Sequence, residues 1–170
     1  MGYTHAWSYV PDDMRFISAF PRIREDATVI VMHLAASGFD LAGPNGDGEP
    51  VLSDMAIAFN GTDPHAGDTF LLSLEPLARQ RLQADSGSWF SWAFCKTNRL
   101  PYDLAVMAVL LRTHQLVPEL LALGSAGCWE VEWRPARDLI EGLFEPAPPR
   151  CPLTDASRGP ATVRTAAPRD

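Results

Sequence analysis

The stretch PYDLAVMAVLLRTHQ at residues 101–115 restricts the possible folds more than any other part of the chain. Its middle would be apolar on nearly every side of a helix, and such a helix must be buried on most of its surface. Pro101 suits a first helical turn, Asp103 complements the positive end of the helix dipole, and Pro118 ends the segment. The sequence therefore predicts a central helix around which the other elements pack.

Shorter apolar patterns on both sides of that helix predict strands and further helices. A second helix is expected to begin near Pro21, a favourable first-turn residue, and to end at Gly38. The segments 55–61 and 68–74 are expected to pair as antiparallel strands. The remaining expectations are strands at 3–10 and 88–95, a strand, turn and strand in 119–133, a helical turn within 75–85, a loop at 43–50 and a helix at 135–144.

These elements alternate irregularly, with hairpin signals in the middle and no GxGxxG turn. The sequence therefore predicts an α+β fold, with a mainly antiparallel sheet and two or three helices packed on one face. Residues 1–145 are expected to form this single domain. Residues 146–170 are rich in Pro, Ala and Arg and nearly lack large apolar side chains, so we expect a disordered C-terminal tail.

Charge and cysteine content argue against several classes of function. A net charge of −7 disfavours binding to nucleic acid or to an anionic membrane surface. No apolar run is long enough to span a membrane and no secretory signal is visible, so we expect a cytoplasmic location. The three cysteines have no paired spacing, and no His or Cys has ligand spacing to another. We therefore expect no disulfide framework, no metal and no other cofactor.

The N-terminal segment GYTHAWSY has two unequal faces when it is extended. One face carries Tyr3, His5, Trp7 and Tyr9, and the other carries only small side chains. The small face is expected to admit a closely packed helix. The aromatic face is then expected to look into a second layer, a cleft or an interface.

The segment FCKTNRLPYD at 94–103 is the strongest candidate for a site, because it joins a strand to the N-terminus of the central helix. Helix N-termini favour anions, and Lys96 and Arg99 add two cations beside the hydrogen-bonding side chain of Tyr102. Lys96 is the only lysine in the chain. Cationic neighbours could also stabilise a thiolate at Cys95 and make it nucleophilic. The alternative is a small buried cysteine next to solvated charges.

His5 is the second candidate, as a general acid or base between the aromatic walls of Tyr3 and Trp7. The alternative is a buried histidine with one hydrogen bond. We predict that its strand lies near FCKTNR, so that His5 and Cys95 are within reach of each other in one cleft. Asn60 either belongs to a turn or orients a ligand from the edge of the sheet.

Together, GYTH, FNG, DTF, FCKT and PYD resemble a group of small, uncharacterised proteins of actinobacteria and phages. The resemblance covers roughly residues 2–140 and implies no activity that can be transferred to this chain.

Two functions from different classes are compatible with these residues. The first is a cofactor-independent enzyme acting on a small organic substrate, with His5, Cys95 and Lys96 as catalytic residues. Tyr3, Trp7, Asn60, Arg99 and Tyr102 would then bind a substrate that carries an anionic group. The second is a non-catalytic module that binds a small ligand or a protein through the aromatic N-terminal strand.

Overall fold

The helix predicted to lie at the centre of the fold is present and lies there. In the computed structural model, which describes residues 2–84, 86–144, 146 and 150–155, it is α2, Asp103–Leu116. Every residue from Ala105 to Thr113 is buried. This burial accounts for the unbroken apolar sequence, because no side of the helix faces water along that length.

The remaining helices and strands of the described residues come before and after α2 in the sequence. They are β1 (Thr4–Tyr9), α1 (Met14–Ala36), β2 (Leu41–Ala42), β3 (Val51–Leu52), β4 (Ala56–Gly61), β5 (Phe70–Ser73), a 3-10 turn (Ala78–Gln80), β6 (Arg81–Gln83), β7 (Trp89–Lys96), β8 (Leu121–Ser125), α3 (Arg134–Leu143) and β9 (Leu153–Asp155). The predicted α+β class is confirmed.

Two sheets form from these strands. The larger has the order β6-β7-β1-β8-β9, and all its neighbours are antiparallel except β8 and β9. In the smaller sheet β4 pairs antiparallel with β2, β3 and β5, and the β4–β5 pair is the one predicted for 55–61 and 68–74. The sheets meet through aromatic side chains, since the rings of Trp7 and Phe70 lie 5.1 Å apart.

Helix α1 begins earlier than the sequence predicts. Asp13 caps it by accepting the N–H of Arg15, and Pro21 lies inside the helix. The expected start at Pro21 is therefore wrong. Proline in a helix interior removes one backbone hydrogen bond, and burial of the apolar stripe compensates for that loss. The buried stripe consists of Phe16, Phe20, Ile23, Ala27, Ile30, Val31 and Leu34.

The second strand expected within 119–133 is absent. Residues 126–133 form turns, in which the N–H groups of Glu132 and Trp133 both bond to the carbonyl of Cys128. Trp129 and Trp133 are buried. Both tryptophans therefore reach the core from an irregular segment of turns. In such a segment, the alternation of apolar and polar residues does not predict which side chains are buried.

Part of the predicted disordered tail is ordered. Residues Leu153–Asp155 form β9, which pairs in parallel with Leu123–Ser125 of β8. The Thr154 hydroxyl also donates to the carbonyl of Leu123. The expectation of disorder is thus wrong for these three residues, and 156–170 lie outside the described residues.

The faces of β1 are used in the opposite way to the one predicted. The helices pack on the face of Tyr3, His5, Trp7 and Tyr9, where the Tyr9 ring lies 5.0 Å from that of Phe16. The expectation that a helix covers the small face is wrong. Large side chains contribute most of the apolar area that a core needs, so the helices cover them.

Candidate functional site

His5 lies in a buried polar network that links β1, β8 and the N-terminus of α2. Its Nε2 is 2.8 Å from Asp103 Oδ1, and its Nδ1 is 2.9 Å from Ser125 Oγ. The Thr97 hydroxyl also donates to Asp103 Oδ1. We call His5, Thr97, Asp103, Ser125 and Trp133 the His5 cluster, and all five residues are buried.

The proton positions in the His5 cluster follow from its donors. Trp133 Nε1 and the backbone N of Gly127 lie 3.0 and 2.9 Å from Ser125 Oγ, and both groups can only donate. They occupy the two lone pairs of that oxygen. Ser125 must therefore donate its own proton to His5 Nδ1, and His5 donates from Nε2 to Asp103. Donation runs from serine to histidine to aspartate, the order found in hydrolase triads, but with the two ring nitrogens exchanged.

A layer of side chains covers His5 on its outer side. The Tyr3 ring and the imidazole are perpendicular with their centres 5.0 Å apart, and the Arg99 guanidinium lies 3.9 Å from the centre of the Tyr3 ring. Arg99 Nε donates to Glu132 Oε1 at 3.0 Å. The backbone N–H of Cys128 and the Arg99 guanidinium lower the pKa of Glu132. The Arg99 cation predicted to hold an anion is thus already paired with a carboxylate of this chain.

Cys95 stands opposite His5 in the β1–β7 register but bonds elsewhere. Its thiol donates to the carbonyl of Asp68 at 3.1 Å, and the Tyr102 hydroxyl donates to the same oxygen at 2.8 Å. Burial raises the pKa of Cys95 to about 12. The thiol is therefore protonated at neutral pH, whereas a nucleophilic cysteine needs a stabilised thiolate. Cys95 and Tyr102 together hold Asp68 in place.

Asn60 holds the loop that precedes Asp68. Its Oδ1 accepts the N–H groups of Gly61 and Gly67, and its Nδ2 donates to the carbonyls of Pro44 and Gly67. All of its hydrogen-bonding groups are used within the chain, which corresponds to the turn interpretation. A Cβ on Gly67 would lie 2.5 Å from the Tyr102 hydroxyl oxygen, so the loop passes too close to admit a side chain there.

The other two residues predicted for the site, Trp7 and Lys96, differ in their exposure to solvent. Trp7 is buried against Phe70, with 1% of its surface exposed. Lys96 is exposed, and its backbone rather than its side chain makes the visible contacts: its N–H donates to Asp68 Oδ2 and its carbonyl accepts the N–H of Asp68.

A pocket lies next to Asp68, along β7. It has a volume of about 550 Å³ and runs along the edge of β7. We call it the edge pocket. Its lining consists of Asp68, Thr69, Leu71, Leu77, Arg79, Gln80, Trp92, Ala93 and Phe94.

The edge pocket combines apolar walls with charge. The Trp92 and Phe94 rings lie 5.5 Å apart, and 53% of the Phe94 surface is exposed. Arg79 is exposed, and no carboxylate among the described residues forms an ion pair with it. Such a pocket offers stacking area, a free cation and the carboxylate of Asp68.

Two smaller pockets, of about 280 and 160 Å³, lie beside His65 and beside Trp89. His5, Cys95 and Trp7 line none of the three. Of the residues predicted to form a site, the structure brings His5, Cys95, Tyr3, Arg99 and Tyr102 into one region. All of these except Arg99 are buried, so the cleft predicted for His5 and Cys95 is wrong.

Sequence reasoning missed the residues that complete both arrangements. Ser125 is the last residue of β8, and nothing in its sequence neighbours predicts contact with His5. Arg79 lies in 75–85, which has no periodic pattern, and the strand predicted at 68–74 gave no signal for the carboxylate of Asp68. Trp92 and Phe94 did carry a signal, since they alternate with small residues on β7 and so share one face.

Comparisons of this chain with family models, with curated proteins and with solved structures found no match. Among the described helices, none is both long enough and apolar enough to cross a membrane. Over the same residues, no three His, Cys, Asp or Glu side chains are grouped so that they could hold a metal ion.

Proposed function

We propose that this protein is a non-catalytic binding module whose ligand occupies the edge pocket. The observation that carries the proposal is the contrast between two regions. The groups suited to catalysis are buried and bonded to one another, whereas Trp92, Phe94 and Arg79 surround an open volume of about 550 Å³. Binding sites combine apolar walls with a few convergent polar groups, and the edge pocket has this composition.

The Arg79 cation favours a ligand with an anionic group, since the other charged group of the lining, the carboxylate of Asp68, already accepts the N–H of Lys96. Arg79 supplies donors in a planar fork that fits a carboxylate or phosphate. Trp92 and Phe94 supply apolar area for the rest of the ligand. The anionic ligand expected from Lys96 and Arg99 is therefore reassigned to Arg79, because Arg99 is paired with Glu132.

The test uses benzoate as a small aromatic anion, added to isotope-labelled full-length protein at millimolar concentration. We expect NMR shift changes at the backbone amides of Trp92 and Phe94 and at the Trp92 indole. Arg79→Ala should weaken binding by roughly tenfold, the loss of about one charged hydrogen bond. Arg134→Ala, an exposed arginine on α3, is the matched control. Shifts centred on His5 instead would overturn the proposal.

A second candidate is the cofactor-independent enzyme, and the order of donation from Ser125 through His5 to Asp103 favours it. Ser125 would act as the nucleophile and His5 as its general base. A fluorophosphonate probe tests this directly. Labelling that is lost in Ser125→Ala would support the enzyme, and a folded protein that stays unlabelled would remove it.

A further inference from the structure

The edge pocket coincides with a gap in the pairing of β7. Strand β6 pairs only with Trp89, Phe90 and Ser91. Beyond that point the chain of β6 leaves the sheet through the 3-10 turn Ala78–Gln80. At the far end of the gap Asp68 bonds to both backbone groups of Lys96. Its side-chain carboxylate accepts the N–H of Lys96, and its own N–H donates to the carbonyl. Residues 92–94 of β7 have no strand on this side.

The backbone of Trp92 and Phe94 points into the gap. Along a strand the N–H and C=O groups of alternate residues face the same neighbour. Lys96 directs both of its groups to Asp68, away from β1, so Phe94 and Trp92 do the same. The pattern on β1 agrees, since the carbonyl of Thr4 accepts from Ala126 on the β8 side and that of Tyr3 accepts from Asn98 on the β7 side.

We propose that the edge pocket receives an extended peptide, which adds to β7 as a strand across Trp92–Phe94. The inference rests on the proposed binding function and names the class of its ligand. Four residues lie between Ser91 and Lys96, and the five residue steps between these two ends cover about 16 Å, which matches a peptide of four to five residues. Unpaired backbone groups supply the hydrogen bonds of strand addition, and side-chain pockets supply its specificity.

The lining of the pocket defines the peptide further. Leu71, Leu77 and Phe94 offer apolar contacts to alternate side chains. Arg79 has no carboxylate partner among the described residues, so the peptide carries an acidic residue that pairs with it. β-branched residues with one central glutamate have this chemistry and favour an extended backbone.

The probe is the blocked pentapeptide TVEVT, titrated into the full-length protein and followed by NMR and by amide hydrogen exchange. We expect the amides of Trp92 and Phe94 to shift and to exchange more slowly, since strand addition gives them acceptors. Unchanged exchange at both amides would overturn the inference.

Peptides methylated on alternate amide nitrogens separate strand pairing from simple filling of the pocket. Only one of the two alternating sets of N–H groups can face β7. We therefore expect one methylation pattern to abolish binding and the other to be tolerated. Equal effects of the two patterns would overturn strand addition.

A charge exchange tests the role of Arg79. Arg79→Glu should weaken TVEVT by roughly tenfold and should bind TVKVT more tightly than TVEVT. Arg134→Glu should change neither affinity. If benzoate binds in the edge pocket and TVEVT does not, the peptide inference fails and the binding function stands; if neither binds, both fail.

Discussion

His5 and Cys95 face each other across β1 and β7, yet their side chains bond to different parts of the domain. The imidazole bonds to Asp103 on α2 and Ser125 on β8. The thiol bonds to the carbonyl of Asp68, in the loop before β5. Through these bonds, His5 and Cys95 connect helix α2 to the loop whose residue Asp68 lines the edge pocket.

Replacing His5 should destabilise the fold. His5→Ala removes a partner from both Asp103 and Ser125 in the core, and leaving buried polar groups unpaired costs about 1–3 kcal/mol. Urea unfolding measures this cost. His65→Ala, at an exposed histidine, should change stability by less than about 0.5 kcal/mol. A stable His5→Ala protein that no longer reacts with a fluorophosphonate would indicate a catalytic histidine instead.

Cys95 should resist alkylation in the folded protein. Its side chain is buried and burial raises the pKa of the thiol to about 12, whereas Cys128 and Cys151 are exposed. At pH 8 iodoacetamide should modify Cys128 and Cys151 and leave Cys95 unmodified until urea unfolds the chain. Mass spectrometry of the digested protein identifies each thiol. Modification of Cys95 at the rate of Cys128 would contradict its placement in the core.

The same thiol makes stability depend on alkaline pH. The pKa of Cys95 lies near 9.0 in the unfolded chain and about 12 in the folded one, so only the unfolded chain loses this proton between those values. The thiol's contribution to stability is complete below pH 9 and declines as pH rises towards 12, by at most about 1.4 kcal/mol per pH unit. Urea unfolding at pH 8 to 11 should show the free energy of wild type falling more steeply than that of Cys95→Ala. Parallel slopes would contradict the raised pKa.

Strand β9 should contribute measurably to stability. Leu153 packs against the core beside its partner Leu123. Leu153→Ala should cost about 1 kcal/mol, which corresponds to roughly 2–4 °C in melting temperature for a chain of this length. Cys151→Ala, at an exposed position two residues earlier, serves as the control. Equal melting temperatures for the two variants would mean that β9 does not hold Leu153 in the core.

Local patterns predicted the elements whose surroundings they describe. The apolar run of α2 predicted burial, and the alternation in β1 predicted a strand with one heavily loaded face. Both predictions succeeded because each pattern reports how much of an element's surface must leave water. The start of α1 was missed because Pro21 resembles a first-turn residue, while the side chain that caps the helix is Asp13.

Sites were harder to predict because they combine segments far apart in the sequence. The prediction that His5 and Cys95 lie near each other agrees with the β1–β7 register, but both side chains are buried and do not face the predicted cleft. The pattern in GYTH and FCKT held no information about Ser125, which reaches His5 from the end of β8, 120 residues away. The edge pocket depends on where β6 leaves the sheet, and residues 75–85 carry no periodic pattern that predicts this point.

The sequence by itself determined that the whole circumference of α2 and the stripe of α1 are buried, and that β1 has one aromatic face. Hydrophobic burial depends on the composition of each segment, so it can be read locally. Only the tertiary structure decided which groups meet. It closed the His5 cluster with Asp103 and Ser125 and left Trp92 and Phe94 at an open edge, because hydrogen bonds require partners at defined distances and directions that spacing along the chain does not specify.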